Sequence, residues 1–189
     1  MKKSICAKKI ICDKKQIAGK IDKIADAIIK DFPGASIRKV GFLGIQTKGI
    51  PLAEKIGDAI KRKTGHKVSV GSIDISMYRD DIGIRRKLSS LHETSIPFDL
   101  EDEGIILVDD VLHTGRTIRA ALDAVTDYGR PSFIRLAVLI DRGGREFPIQ
   151  PDYVGEKYKA DDGDKIIVKW DELDGVESAL LIRNKSLKK

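Results

Sequence analysis

Cysteine is scarce in this chain: only Cys6 and Cys12 occur, and the five residues between them fit neither a paired zinc knuckle nor a redox C-x-x-C. Two reduced thiols are expected, and no disulfide framework. Aromatic residues make up 5% of the sequence, yet isoleucine, leucine and valine are plentiful enough to exclude a disordered chain. No apolar run approaches the ~18 residues of a membrane span. The start, Met1-Lys2-Lys3-Ser4-Ile5-Cys6, is basic but lacks the apolar stretch of a signal peptide. A cytoplasmic protein without a membrane partner is expected. Two phosphate-binding fingerprints are also missing. There is no G-x-x-x-x-G-K-[ST] P-loop, and Gly41 and Gly44 do not make a G-x-G-x-x-G. Internal repeats and low-complexity linkers are absent too, so residues 1–189 are expected to form a single domain.

What is present is a basic, well-patterned chain of 189 residues with a formal net charge of +6. Such a charge suits nucleic acid and polyphosphate substrates equally, and lysines alternating with acids also describe a plain solvated surface. Ile17, Ile21, Ile24, Ala25 and Ile28 repeat at helical spacing between Lys14 and Ile29. A strand is expected at Val40 to Ile45, a second helix from near Pro51 toward Lys63, and a strand at Val68 to Ser76. Tyr78 to Pro97 has no clear period, as a functional or mobile loop would. A wholly apolar strand at Ile105 to Val108, a helix at Thr117 to Tyr128 and a strand at Ile134 to Ile140 follow, with weaker strand signals at Ile166–Val168 and Ala179–Ile182. Alternation of this kind predicts an α/β fold, a doubly wound and mainly parallel sheet flanked by helices. Ligands of such sheets gather outside the carboxyl ends of the strands.

The most informative stretch is Val108-Asp109-Asp110-Val111-Leu112-His113-Thr114-Gly115-Arg116-Thr117. A buried strand delivers two adjacent carboxylates, and a loop rich in hydroxyls and glycine then opens a helix. A helix start offers unpaired N–H groups and a positive dipole end, so it holds phosphate well. Gly115 permits close approach of the backbone, and Thr114 and Thr117 offer hydroxyls. The acids would repel phosphate; they suit the vicinal hydroxyls of a ribose, or water around magnesium. A phosphate cradle beside a diol-binding pair describes a ribose 5-phosphate site. The plain alternative, a Thr114-capped helix beside solvated acids, leaves two carboxylates at the buried end of an apolar strand without partners.

The acidic pair followed by Thr-Gly-Arg-Thr resembles the phosphoribosyl-diphosphate signature of type I phosphoribosyltransferases. Further blocks resemble one branch, the PyrR family of pyrimidine-operon attenuation regulators that are also uracil phosphoribosyltransferases. These are Gly44–Ile50, Ile73–Asp81, Gly129-Arg130-Pro131 through Asp141-Arg142-Gly143, Arg145–Ile149 and Asp152–Gly155. The resemblance implies a type I phosphoribosyltransferase fold with a small hood, formed by chain-terminal segments and the part after residue 141. It implies transfer of phosphoribosyl from phosphoribosyl diphosphate to uracil with Mg²⁺, giving UMP, in a homo-oligomer. Asp109 and Asp110 would hold the ribose hydroxyls and help place magnesium. Thr114, Gly115, Arg116 and Thr117 would bind the 5-phosphate. The turn Thr47-Lys48-Gly49 would bind diphosphate, with Lys48 where arginine is common, which keeps the charge but loses the fork. Residues 78–97 would be a mobile flap, with Arg79 reaching the diphosphate and Arg85-Arg86-Lys87 facing solvent. Asp141, Arg142 and Gly143 would border the nucleobase.

His113 stands where this branch carries tyrosine or phenylalanine. It would either stack on the base or relay a proton, or else fill the same space as those rings. The resemblance also implies messenger-RNA binding through a basic surface. Here that surface has changed: Asp22 and Asp26 lie on the first helix, and Gly144, Gln150, Glu156 and Ala160 stand where donors are usual. Each change removes a donor or adds repulsion, so hairpin binding is expected to be weakened, altered or lost. A regulator with vestigial catalysis and a transferase of changed base preference remain the alternatives.

Overall fold

Strands that are apolar on both faces must be covered on both faces, and β4 (Gly104–Leu112) obeys this rule residue by residue. Ile106 and Val108 point into one core with Phe42, Leu52 and Ile56. Ile105 and Leu107 point into a second core with Ile118, Ala121 and Val125. A computed structural model describes residues 6–80, 92–101 and 103–184. The centre of the expected flap, residues 81–91 with Arg85-Arg86-Lys87, lies outside the described residues.

Two sheets carry the described residues. In the larger, β3 (Ser69–Ile73), β2 (Val40–Ile45), β4, β5 (Phe133–Asp141) and β6 (Tyr153–Lys157) run parallel in that order. In the smaller, β1 (Cys6–Cys12), β8 (Ser178–Asn184) and β7 (Lys165–Lys169) pair antiparallel in the order β1-β8-β7. Helices α1 (Lys14–Asp31) and α2 (Gly49–Thr64) cover one face of the parallel sheet, and α3 (Arg116–Thr126) covers the other. A single-turn helix, α4 (Asp171–Asp174), joins β7 to β8.

The helix starts follow from local chemistry. Asp13 caps α1: its carboxylate accepts the Gln16 N–H at 2.8 Å, and Gln16 returns the bond to the Asp13 N–H. Ile17, Ile21, Ile24 and Ile28 of α1 are all buried, as the spacing predicts. Two strands went unread in the sequence. In β1 the lysines Lys8 and Lys9 break the apolar pattern, and β6 is short with Gly155 at its centre. The strand expected at Val68 to Ser76 narrows to Ser69–Ile73, because Asp74 turns the chain by accepting the Ser76 N–H at 2.7 Å.

Strand order also locates the site. From β2 the chain crosses by α2 to β3 at one edge; from β4 it crosses by α3, on the opposite face, to β5. Neighbouring strands whose connections diverge leave a crevice at their carboxyl ends. The β2–α2 turn and the β4–α3 loop open on that crevice.

Candidate active site

Asp109 and Asp110 are the sixth and seventh residues of β4, and Asp109 still pairs with Val138 of β5. Asp109 is buried, and its Oδ1 accepts the Asp110 N–H at 2.9 Å. Asp110 is half-buried. Burial, and then the charge of Asp110, hold the Asp109 carboxyl well above the usual carboxylate range. Burial raises Asp110 as well, against the lowering influence of Asp109's hydrogen bond and the Lys48 charge. Two such carboxyls attract whatever favours their charged forms, either hydroxyl donors or a cation. Among the described residues no group of three or more His, Cys, Asp or Glu is placed to hold a metal ion. The acidic pair alone fits an ion that keeps its water and binds through one or two carboxylates plus substrate phosphates, as magnesium does.

The loop after β4 is fastened from one side. Gly115 adopts φ +92°, a conformation that favours glycine, and begins α3. A Cβ there would come within 3.2 Å of Phe147, so the following turn packs directly against the loop. Thr114 Oγ1 accepts the Arg116 N–H at 3.3 Å, and the Arg79 guanidinium donates to Thr117 Oγ1 at 3.3 Å. Arg116 is turned toward acids: its Nε donates to Glu146 at 2.8 Å and its Nη1 to Asp80 at 3.1 Å. The structure thus brings Thr114, Gly115, Thr117 and Arg79 together at the helix start, with Arg116 at the rim.

On the other side of the crevice, the Gln46–Thr47 peptide is cis, and Thr47 is exposed. Gly49 begins α2 so close to β4 that a Cβ would run into the Val108 carbonyl. This close approach carries Lys48 near enough to Asp110 for its charge to be felt there. Lys48 forms an ion pair with Asp174 of α4. Asp174 also accepts the Trp170 N–H at 3.0 Å, and the Trp170 indole donates to the Lys48 carbonyl at 3.0 Å. The Lys48 bond, and then the Trp170 N–H, hold the Asp174 carboxyl below its usual range. Trp170 is fully buried.

At the end of β5 the expected base-side residues divide. The Asp141 carboxylate is engaged by the Gly143 N–H at 3.0 Å and by Arg145 at 2.7 Å. Arg142 donates to the Asp161 and Asp164 carbonyls at 3.0 and 2.8 Å, leaving its buried Nε without a hydrogen-bond partner. Asp141 and Arg142 thus brace loops, and Gly143, at φ +73°, forms the bend between them. His113 is the exposed member, with its ring close against Gly144. It opens on a cavity of about 400 Å³ with Val111, Arg142, Ile166 and Ile167. Burial, and then the charges of Arg142 and Arg145, lower the His113 pKa, which favours a neutral imidazole at neutral pH.

Sequence reading missed Asp174, Trp170 and Arg145. A small signal was available for the first two: an acidic turn closed by Gly175, next to the chain's single tryptophan. The acids on α1 are engaged within the fold. Asp22 pairs with Arg62 at 2.6 Å and Asp26 with Lys63 at 2.7 Å, both on α2. Glu156 of β6 pairs with Lys20 of α1 at 3.0 Å. Among the described residues no helix is long and apolar enough to cross a membrane.

Comparison with known proteins agrees with this geometry. The family model for the phosphoribosyl transferase domain matches residues 8–172. The chain is 46% identical over 176 residues to the Bifunctional protein PyrR of Roseiflexus sp. (strain RS-1), covering 93% of this chain and 95% of that one. It is 46% identical over 164 residues to the Bifunctional protein PyrR of Picosynechococcus sp. (strain ATCC 27264 / PCC 7002 / PR-6), covering 86% and 90%. Among solved structures, the hypoxanthine phosphoribosyltransferase of Trypanosoma cruzi superposes with a TM-score of 0.70 at 19% identity, covering 94% of this chain and 97% of that one. A hypoxanthine phosphoribosyltransferase from Staphylococcus aureus gives 0.62 at 20% identity, covering 94% and 93%. At these identities the structural likeness establishes the fold, and the sequence likeness narrows it: the chain is a phosphoribosyltransferase of the PyrR family.

Proposed function

We propose that the chain is a uracil phosphoribosyltransferase, converting uracil and phosphoribosyl diphosphate to UMP and diphosphate. One observation carries this reading: an acidic pair, Asp109 buried and Asp110 half-buried, lies in a crevice between a helix-start loop and a second turn bearing Lys48. A ribose held by the acids would then have its 5-phosphate at Thr114–Thr117 and its diphosphate at Thr47–Gly49.

In this reading a nitrogen of the base attacks C1, the bond to diphosphate breaks, and positive charge develops on the ring. Asp109 and Asp110 accept the vicinal hydroxyls, which favours the carboxylate forms that burial alone disfavours. The carboxylates then stabilise the developing charge, most strongly once water is excluded. Thr114, Gly115, Arg116 and Thr117 hold the 5-phosphate, and Thr47, Lys48, Gly49 and Arg79 orient the leaving diphosphate. Asp109 or Asp110, together with the substrate, would hold magnesium, which would supply positive charge beside the leaving group. The base enters the cavity beside His113, with Arg142 at its wall, under a hood built on the small sheet. The enzyme acts in the cytoplasm as a homo-oligomer.

RNA binding is weakened, altered or lost in this reading, because Asp22 and Asp26 pair with Arg62 and Lys63. The test is to incubate the protein with Mg²⁺, phosphoribosyl diphosphate and each nucleobase in turn. UMP from uracil is the expected product. A nucleotide formed only from hypoxanthine or guanine would replace the base assignment, and no nucleotide at all would overturn the reading. A salt-sensitive gel shift with a pyrimidine-leader hairpin would restore RNA as a partner.

A further inference from the structure

The carbonyls of Leu112, His113 and Thr114 face the segment that follows β5, while that of Gly115 accepts the Arg119 N–H of α3. Leu112 O accepts the Arg142 N–H at 2.9 Å, and Thr114 O accepts the Glu146 and Phe147 N–H groups at 2.9 and 3.0 Å. Between them, His113 O is held by the Arg145 guanidinium at 2.9 Å. Arg145 uses each of its nitrogens. Nη1 serves His113 O, with Leu112 O at 3.5 Å; Nη2 meets Asp141 Oδ1 at 2.7 Å; Nε donates to Ile149 O at 2.8 Å. Its side chain is 15% exposed and that of Asp141 9%, so the pair is largely shielded from solvent. One guanidinium thereby ties together the ends of β4 and β5 and the turn at Ile149. A peptide whose carbonyl is drawn to one side directs its N–H to the other, the side on which a phosphate would lie.

We infer that Arg145 is a positioning residue for the sugar-phosphate cradle: it touches no substrate, but fixes the 113–115 peptides so that their N–H groups converge on the 5-phosphate. This rests on the reading of that loop as a phosphate site. Arg145 is suited to the task because a planar fork on four acceptors sets an orientation that a lysine ammonium does not. Asp141 acts through Arg145, and the apparent base-side acid is an anchor for the loop.

The experiment compares wild type with Arg145→Met, Arg145→Lys and Asp141→Asn. It measures the KM of phosphoribosyl diphosphate, the KM of uracil, ribose 5-phosphate binding by calorimetry, and Tm. Arg145→Met should raise the KM of phosphoribosyl diphosphate about tenfold, and weaken ribose 5-phosphate to match, while the KM of uracil moves about twofold or less. Arg145→Lys should recover part of this loss, and Asp141→Asn should change it in the same direction by less. If Arg145→Met does not fold, the lysine and asparagine variants carry the test through the same ligand. A lowered Tm with unchanged phosphoribosyl diphosphate and ribose 5-phosphate affinity in the folded variants would overturn the inference alone. Failure of the wild type to bind ribose 5-phosphate would overturn the reading of the loop, and the inference with it.

Discussion

The β4–α3 loop and the β2–α2 turn face one another across the crevice, and they are held by different means. Backbone carbonyls fasten the first to the 142–147 segment at 2.9 to 3.0 Å, and Arg145 completes the set. The second is held to α4 by the Lys48–Asp174 ion pair and the Trp170 indole. Backbone bonds at a bent glycine make a fixed template. An ion pair whose side chains are 30% and 25% exposed is partly screened by water and exchanges partners readily. The difference suits the two ends of the proposed substrate. The 5-phosphate stays on the sugar throughout the reaction, while the diphosphate must leave. Lys48 can pass from Asp174 to diphosphate and back without exposing a buried charge.

The strongest way to break this comparison is to remove the acid that lies between the two loops. Asp109→Asn should lower kcat/KM by about 10²–10³-fold, as loss of a preorganised charge does. The same change should raise Tm, because a carboxyl held above its usual range by burial no longer has to be accommodated. Activity measured beside a melting curve checks both directions.

Next in size are the ends of the ion pair. Lys48→Met should raise the KM of phosphoribosyl diphosphate about tenfold, the equivalent of one charge-assisted contact. Asp174→Asn should tighten inhibition by free diphosphate about threefold or less, since a screened pair is worth little. If Asp174→Asn weakened diphosphate instead, Asp174 would be a fixed orienting group and not an exchangeable partner.

Acid should loosen the second region before the first. The folded Asp174 pKa lies below its unfolded value, so the pair's contribution to stability is present above the unfolded carboxylate value. It is lost as pH falls through the folded one. Trp170, the chain's single tryptophan, reports this directly, and its emission should shift with a midpoint below the usual carboxylate range. The smallest effect is expected at His113. His113→Phe should keep most activity, as an aromatic ring filling the same space; near-complete loss of turnover with unchanged phosphoribosyl diphosphate affinity would show that the imidazole takes part in chemistry.

The two regions also differ in how far the sequence discloses them. The β4–α3 loop is local: an apolar strand, two acids, Thr-Gly-Arg-Thr and a helix lie within one short segment, and their order alone implies a phosphate beside a diol. The five parallel strands follow from the same periodicity, apart from β6, whose Gly155 and charged neighbours hide it. The β2–α2 turn is another matter. Its lysine is legible, but its partners Trp170 and Asp174 lie far along the chain, and no local pattern links them. The partners of Asp141 are hidden for a related reason. Next to Arg142-Gly143 it looks like a ligand group, and only the fold turns Arg145 back to occupy its carboxylate. The α1 acids show the limit from the other side: their sign is plain in the sequence, but their pairing with Arg62 and Lys63 is not.

The division of labour between the two loops can be read from a single titration. Trp170 emission is followed while ribose 5-phosphate and then diphosphate are added in the presence of Mg²⁺, with calorimetry recording that each one binds. The account predicts that diphosphate changes the emission, because it draws Lys48 from Asp174 and disturbs the carbonyl that the indole holds. Ribose 5-phosphate should bind and leave the emission unchanged. An equal response to ribose 5-phosphate, or a diphosphate that binds without any response, would contradict it.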